Sequence, residues 1–324
     1  RHGFKHRGIS FRVCYFKPES ELNEQAIENY KKNVCQCIRR WHHSEQNKNS
    51  VDMMLSINGI PVVAVELKNQ LTGQSVDDAM RQWQYNRNPK EPAFGFNKRV
   101  LAYFACDLYN VYMTTKLDGA TTRFLPFNQG GNGAGNDGGA GNPQNKTGSY
   151  VTEYFWRDVL QKDKLLDIIQ KFISYEKTET KKNQKDGSTH KKVSERIIFP
   201  RYHQLDVVRK LVCHVKENGS GHNYLIQHSA GSGKSNSIAW TAYRMASLHD
   251  ANNEPIFSSV IIVTDRRVLD QQLQATVSSF DHTMGSVVTI DERKNSGDLR
   301  NAINEGRRII VTTLQKFPVI YNEV

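Results

Sequence analysis

No stretch of this 324-residue chain approaches the ~20 consecutive apolar residues that a membrane-spanning helix needs, so a helical membrane span is excluded. No secretory signal opens it, and position 1 is Arg, not Met; the chain reads as a fragment or a processed product. Cysteine is scarce. The five present (Cys14, Cys35, Cys37, Cys106 and Cys213) are odd in number and irregularly spaced, which fits a reducing cytoplasm and not a disulfide scaffold. Cys35 and Cys37 have His42 and His43 nearby, but no second Cys pair completes a four-ligand zinc site. Negative charge is also short: 33 Asp and Glu face 44 Lys and Arg, a net +11. A polyanionic partner such as DNA or RNA is therefore favoured, although a basic enzyme that touches no nucleic acid has the same balance.

What is present is organised around residues 225–237, LIQHSAGSGKSNS. Tyr224-Leu225-Ile226 has the length and character of a buried strand. A loop of small residues, His228 to Gly233, follows; then come Lys234, Ser235 and a stretch with Ile238, Ala239, Ala242 and Met245 at helical spacing. Strand, glycine loop, Lys-Ser and helix are the setting of a phosphate-binding loop. Gly231 and Gly233, with Ala230 and Ser232 between and beside them, let backbone N–H groups approach the phosphates of ATP at a helix start. Lys234 reaches the β- and γ-phosphates, and the Ser235 hydroxyl binds Mg²⁺. Upstream, Tyr202 and Gln204 are candidates to stack on and read adenine, or simply to cap and pack a helix. Strands at 260–264 and 309–313 alternate with helical stretches, which implies a parallel sheet. Asp265-Arg266-Arg267 stands at the carboxyl end of one such strand, where open α/β sheets bind ligands. No Asp-Glu pair follows a strand after Thr313. A motor needs that carboxylate to hold Mg²⁺, so the chain alone is expected to bind ATP without turning it over.

The first half carries a second constellation. Two strands, 51–57 and 60–68, flank Asn58-Gly59, a hairpin signal. Asp52, Glu66 and Lys68 interrupt these otherwise apolar strands. A lone charge in a core costs several kcal/mol; carboxylates that share a divalent cation escape it. Asp52 and Glu66 are hard oxygen ligands for Mg²⁺, and Lys68 can orient a metal-activated water or offset phosphate charge. The competing reading is a hairpin edge with charges that discourage aggregation, but Pro61 to Val65 is apolar on both faces and reads as a central strand. A strict two-residue loop would place Asp52 opposite Val65 and split the carboxylates between faces. A three-residue loop with Gly59 left-handed would place Asp52 opposite Ala64, with Glu66 its diagonal neighbour. The metal site therefore predicts the irregular hairpin.

Around it, 24–41 reads as a helix, and Ser75 to Asp78 opens a capped helix with Gln82 and Tyr85 off its apolar stripe. Strands follow at 100–105 and 111–115. Residues 128–149, rich in Gly and Asn, read as a flexible loop, and the Lys-rich 176–199 as a linker.

The stretches NGIPVVAVELKNQLTGQS, VYMTTKLDGATTRFLPFN, IIFPRYHQLDVVRK, NYLIQHSAGSGKSNSIAW, VIIVTDRRVLDQQL and IIVTTLQKF resemble the restriction (motor) subunit of type I restriction–modification enzymes. The resemblance runs from about Asp52 onward. It implies an α/β architecture: a mixed-sheet PD-(D/E)xK endonuclease domain (1–175) and, from residue 200 to 324, a parallel-sheet, RecA-like superfamily 2 motor domain. It places Asp52, Glu66 and Lys68 on the nuclease triad, and Gln82 on the family's helix glutamine; the aromatic expected four residues later is Asn86, with Tyr85 offset. Asp265, Arg266, Arg267, Thr312 and Thr313 fall on motifs that look like DNA-strand contacts. The implied activity is ATP-dependent translocation on double-stranded DNA followed by cleavage, in the cytoplasm of a prokaryote, with methyltransferase and specificity subunits as partners and ATP and Mg²⁺ as cofactors. A superfamily 2 repair helicase with an accessory nuclease, and an idle DNA-binding assembly piece, remain open beside it.

Overall fold

The computed structural model describes residues 3–18, 23–144, 148–183, 189–265, 273–278, 280, 287–290 and 294–317. The chain divides into two compact units, Arg1–Tyr202 and His203–Val324. Both are mixtures of helix and strand. No helix among the described residues is long and apolar enough to cross a membrane.

The amino-terminal unit opens with a small hairpin, β1 (Phe4–His6) and β2 (Ile9–Phe11), and the helix α1 (Glu24–Lys31). Its centre is a six-stranded mixed sheet in sequence order: β3 (Cys35–His42), β4 (Ser50–Ile57), β5 (Ile60–Leu67), β6 (Ala102–Cys106), β7 (Val111–Thr114) and β8 (Leu125–Pro126). Only β5 and β6 run parallel. Parallel neighbours need a crossover, and α2 (Val76–Tyr85) lies in the segment that supplies it. Ser75 and Asp78 close a capping box at its start. Val76, Ala79 and Trp83 bury its apolar stripe against Ala64, Tyr103 and Ala105 of the sheet. Phe104 packs with Phe127, Phe155 and Phe199 in a second aromatic group, and the helix α3 (Lys162–Lys171) follows the sheet in the chain. The run Val62–Glu66 is buried throughout, as a central strand must be.

Three sequence readings change here. The helix expected over 24–41 stops at Lys31, and 35–42 is the edge strand β3. The buried Asn33 breaks the helix: its side chain donates to the Tyr15 and Tyr30 carbonyls and accepts from the Tyr15 N–H. The Gly/Asn-rich 128–149 is held by its own polar groups where it is described. Asn142 donates to Tyr109 O and Asn128 Oδ1, and Gly130 and Gly131 bond to Gly141 and Gly139. Low apolar content ruled out a core there but not a hydrogen-bonded loop. Finally, the expected linker pairs as a long antiparallel ribbon, β9 (Ser174–Asn183) with β10 (Thr189–Ile198). Polar residues on both faces hide the period-2 pattern, while ladder bonds and cross-strand charge pairs such as Arg196 Nε to Glu176 Oε2, 2.6 Å, hold the strands.

The β4–β5 hairpin sets everything that follows. Asn58 (φ 51°) and Gly59 (φ 82°) form a two-residue turn with both central residues left-handed. The register then slips between Leu55 and Ser56: Ser56 pairs with Pro61 but Leu55 with Val63, leaving Val62 as the extra residue. The irregularity required by the carboxylates exists, but beyond the two paired positions that follow the turn, at Val62, and not at Gly59. Asn58 is also a strut. Its Oδ1 accepts from Val34 N at 2.7 Å, and its Nδ2 donates to Val13 O at 2.8 Å. Asn58→Ala loses these bonds and places a Cβ residue without a local partner in the left-handed region. We expect a loss of about 2–3 kcal/mol, read from denaturant unfolding.

The carboxyl-terminal unit begins with α4 (Tyr202–Asn218), followed by α5 (Lys234–Ala246). Its sheet has three parallel strands: β11 (Val260–Thr264), β12 (Val287–Thr289) and β13 (Ile309–Thr313), with β13 in the middle. Helix α6 (Ser296–Asn304) packs Leu299 and Ala302 on Ile310. The strand expected at Tyr224–Ile226 is not formed: no described strand pairs with it, and Leu225 is 94% exposed. Apolar content marks a segment that prefers burial but supplies no ladder partner. Beside it, an apolar cavity of about 310 Å³ lies between Ile226, Ile238 and the β11 residues Val260 to Ile262.

Candidate functional site

The bulge at Val62 decides the first site. With Met53 opposite Val65, the next step of the register sets Asp52 directly across from Glu66, on one face of the sheet. Asp52 Oδ2 accepts from Leu67 N at 2.8 Å, which pins it beside the end of β5. Glu66 is fully buried. Lys68 lies two residues further on, and its Nζ donates to Gln82 Oε1 at 2.6 Å. The structure thus brings Asp52, Glu66, Lys68 and Gln82 together: β4 supplies Asp52, β5 Glu66, the residue just past β5 Lys68, and α2 Gln82. Tyr85 stands 70% exposed and joins none of them.

One member of this cluster was missed in the sequence. Arg87, itself 5% exposed, donates to Glu66 Oε1 from Nε (3.0 Å) and from Nη2 (2.6 Å). Its local signal was nil, because the pairing spans 21 residues; the hint was only that a buried carboxylate requires a partner. Burial pushes the Glu66 carboxyl up to about 8; the Arg87 guanidinium opposes the rise and the Asp52 carboxylate adds to it. Among the described residues no donor reaches Glu66 Oε2, and the Asp52 carboxyl is in side-chain contact with the Glu66 carboxyl. A buried oxygen left open beside a second carboxylate is what a divalent cation would satisfy. No cluster of three or more His, Cys, Asp or Glu side chains suited to a metal occurs among the described residues, so water and substrate oxygens would complete the shell. The same holds for the Cys35 and Cys37 region.

The raised acid has a measurable consequence. Its folded pKa stands above the ordinary 4.5, so the folded state binds the proton more tightly. That stabilisation is complete below pH 4.5 and is lost as pH rises through about 8. In chelator, the melting temperature of the chain is expected to fall between pH 5 and pH 8, and Glu66→Gln, a neutral mimic, to flatten the slope.

The second site is in the carboxyl-terminal unit. Gly231 (φ 73°) and Gly233 (φ 83°) are both left-handed, and Gly233 is the N-cap of α5. Lys234 and Ser235 are its first two residues. Lys234 Nζ donates back to His228 O (3.1 Å) and Ser229 O (3.0 Å), so the loop closes over its own lysine. Gln204 is buried and donates to Gly233 O at 2.9 Å, and His203 Nε2 lies 3.1 Å from Ser232 O. In this arrangement Gln204 braces the loop. Tyr202 is not an adenine platform: it is buried against Tyr154 and Phe127, and accepts from Gln129 Nε2. Asp265 is exposed, whereas Thr312 and Thr313 are buried at the end of β13. Arg266 and Arg267 lie outside the described residues.

Each of the two regions lies inside a match to a known family. Residues 14–122 match the family described as type I restriction enzyme R protein N terminus, and residues 203–323 match the SWI2/SNF2 ATPase family. The chain is also 25% identical over 278 residues to the type I restriction enzyme HindI endonuclease subunit of Haemophilus influenzae. These matches support reading the chain as similar to a piece of a type I restriction enzyme R subunit. The HindI match covers 82% of this chain but 23% of that relative, so the chain spans about a quarter of the relative's length. The carboxylate cluster falls in the amino-terminal match and the glycine loop in the ATPase match.

Proposed function

We propose that the chain carries the PD-(D/E)xK endonuclease core and the first RecA-like motor region of an R subunit. The whole protein would translocate double-stranded DNA at the expense of ATP and then cut it by metal-dependent phosphodiester hydrolysis, in a prokaryotic cytoplasm, as one member of a complex with methyltransferase and specificity subunits. The observation that carries this reading is the Asp52–Glu66 juxtaposition with Glu66 Oε2 buried and open. Asp52 and Glu66 would hold Mg²⁺, which when bound acidifies water and polarises a phosphate. Lys68, held by Gln82, would donate an ammonium hydrogen bond to the oxygen that gains charge during hydrolysis. In the motor, Lys234 exchanges its loop carbonyls for nucleotide phosphates, and Gly231, Gly233, Ala230 and Ser232 offer backbone N–H groups, with Ser235 on the nucleotide's Mg²⁺. Asp265, Arg266, Arg267, Thr312 and Thr313 are assigned to the DNA path; the two buried threonines would act there from the sheet end.

The test uses the full-length subunit assembled with its partners on DNA bearing a triplex-forming strand. ATP-dependent displacement of the third strand together with double-strand cleavage is expected. Cleavage without displacement would remove the translocase reading, and displacement without cleavage the nuclease reading.

A further inference from the structure

We propose that Arg87 is a positioning residue of the nuclease site: it holds Glu66 by one carboxylate oxygen so that the other, Oε2, is presented with Asp52 to a divalent cation. The proposal rests on the cation-site reading above. A guanidinium that only neutralises a carboxylate usually engages both oxygens in a fork. Here both donors converge on Oε1, at 3.0 and 2.6 Å, and no donor among the described residues reaches Oε2, while the Asp52 carboxyl is in side-chain contact with the Glu66 carboxyl. The same guanidinium is anchored twice more. Nη2 donates to Ser50 O at 2.6 Å and Nη1 to Asn86 O at 3.2 Å. Ser50 opens β4 two residues before Asp52, so one side chain ties the Glu66 carboxylate to the strand that carries its opposite number. The Arg also follows directly on the C-cap of α2, Asn86. The helix and the residue after its C-cap therefore set both functional side chains at the end of β5: Gln82 holds Lys68, and Arg87 holds Glu66. Coordination through a single oxygen suits the small octahedral Mg²⁺ better than a large cation that takes carboxylates bidentate.

Binding of Mn²⁺ to the chain, in the absence of DNA, is followed by the electron paramagnetic resonance of the free ion. Arg87→Met is expected to weaken binding about tenfold, the lower end of what loss of a ligand-orienting partner costs, and Arg87→Lys to fall between it and the parent. Melting in chelator establishes that each variant is folded. Were Arg87 only a counter-charge, its removal would tighten Mn²⁺ binding; were it only structural, melting would drop and the folded chain would bind as before. Either result overturns the proposal. Should Arg87→Met fail to fold, Arg87→Lys decides alone: weaker binding supports the assignment, and equal or tighter binding overturns it. Asp52→Asn separates the two levels. If it leaves Mn²⁺ binding unchanged, the cation site itself is wrong; if it abolishes binding while the Arg87 variants match the parent, only the role of Arg87 falls.

Discussion

Lys68→Ala in the full-length subunit, assembled with its partners, is expected to abolish DNA cleavage and spare ATP hydrolysis, whereas Lys234→Ala is expected to abolish both. The two lysines lie in different units, and in the proposed function they serve different chemistry. Lys68 stands beside the Asp52–Glu66 pair with its ammonium fixed by Gln82. Removing a pre-placed donor from a developing negative charge costs roughly 3–4 kcal/mol, or 10²–10³ in rate, which registers as no cutting in an endpoint assay. Lys234 caps the glycine loop and reaches only its own carbonyls and whatever nucleotide enters. Without it the motor has no purchase on the γ-phosphate, and an enzyme that cuts after moving along DNA loses cleavage as a consequence. Paired nuclease and ATPase assays read the result. ATP-dependent cleavage at the parental rate by Lys234→Ala would refute the motor assignment; loss of ATPase in Lys68→Ala would refute the separation of the sites.

Trp83→Ala is expected to be the most damaging single change in the amino-terminal unit. The indole is fully buried, meets Phe94 edge-on at 5.9 Å and Tyr103 at 5.2 Å, and donates from Nε1 to Phe104 O at 2.9 Å. Truncation opens a cavity under the sheet and strands a buried carbonyl. A loss of about 3–5 kcal/mol follows, equivalent to a fall of roughly 10 °C or more in melting temperature for a unit of this size. Trp83→Phe fills most of the space but still loses the hydrogen bond, and should fall well short of that. Because α2 also carries Gln82 and leads into Arg87, the alanine variant should lose Mn²⁺ binding as it loosens. A variant as stable as the parent would show that α2 is not what supports the site.

The chemistry of this chain was easier to read in its sequence than its geometry. Charged residues inside an apolar run are conspicuous, so Asp52, Glu66 and Lys68 stood out, and a Lys-Ser after paired glycines did the same for the loop. The α2 cap was legible because its signals are local. Register was not: whether Asp52 faces Glu66 depends on one extra residue, Val62, whereas the sequence reading placed the irregularity in a three-residue loop at Gly59. Long-range partners were invisible for the same reason, Arg87 foremost. The polar ribbon β9–β10 and the hydrogen-bonded Gly/Asn loop were misread because both are held by backbone and amide groups, which hydrophobic patterns do not report. Tyr224 to Ile226 shows the opposite failure, an apolar run without a strand beside it.

The distribution of indoles has an optical consequence. Of the four tryptophans, three fall in the first unit (Trp41, Trp83 and Trp156), while Trp240 is alone in the second, fully buried on α5 with Phe280 5.5 Å away. A Trp240→Phe chain therefore has no tryptophan in the second unit. Subtracting its emission from that of the parent isolates the fluorescence of a single indole six residues beyond Lys234, a reporter of nucleotide-linked changes that needs no attached dye.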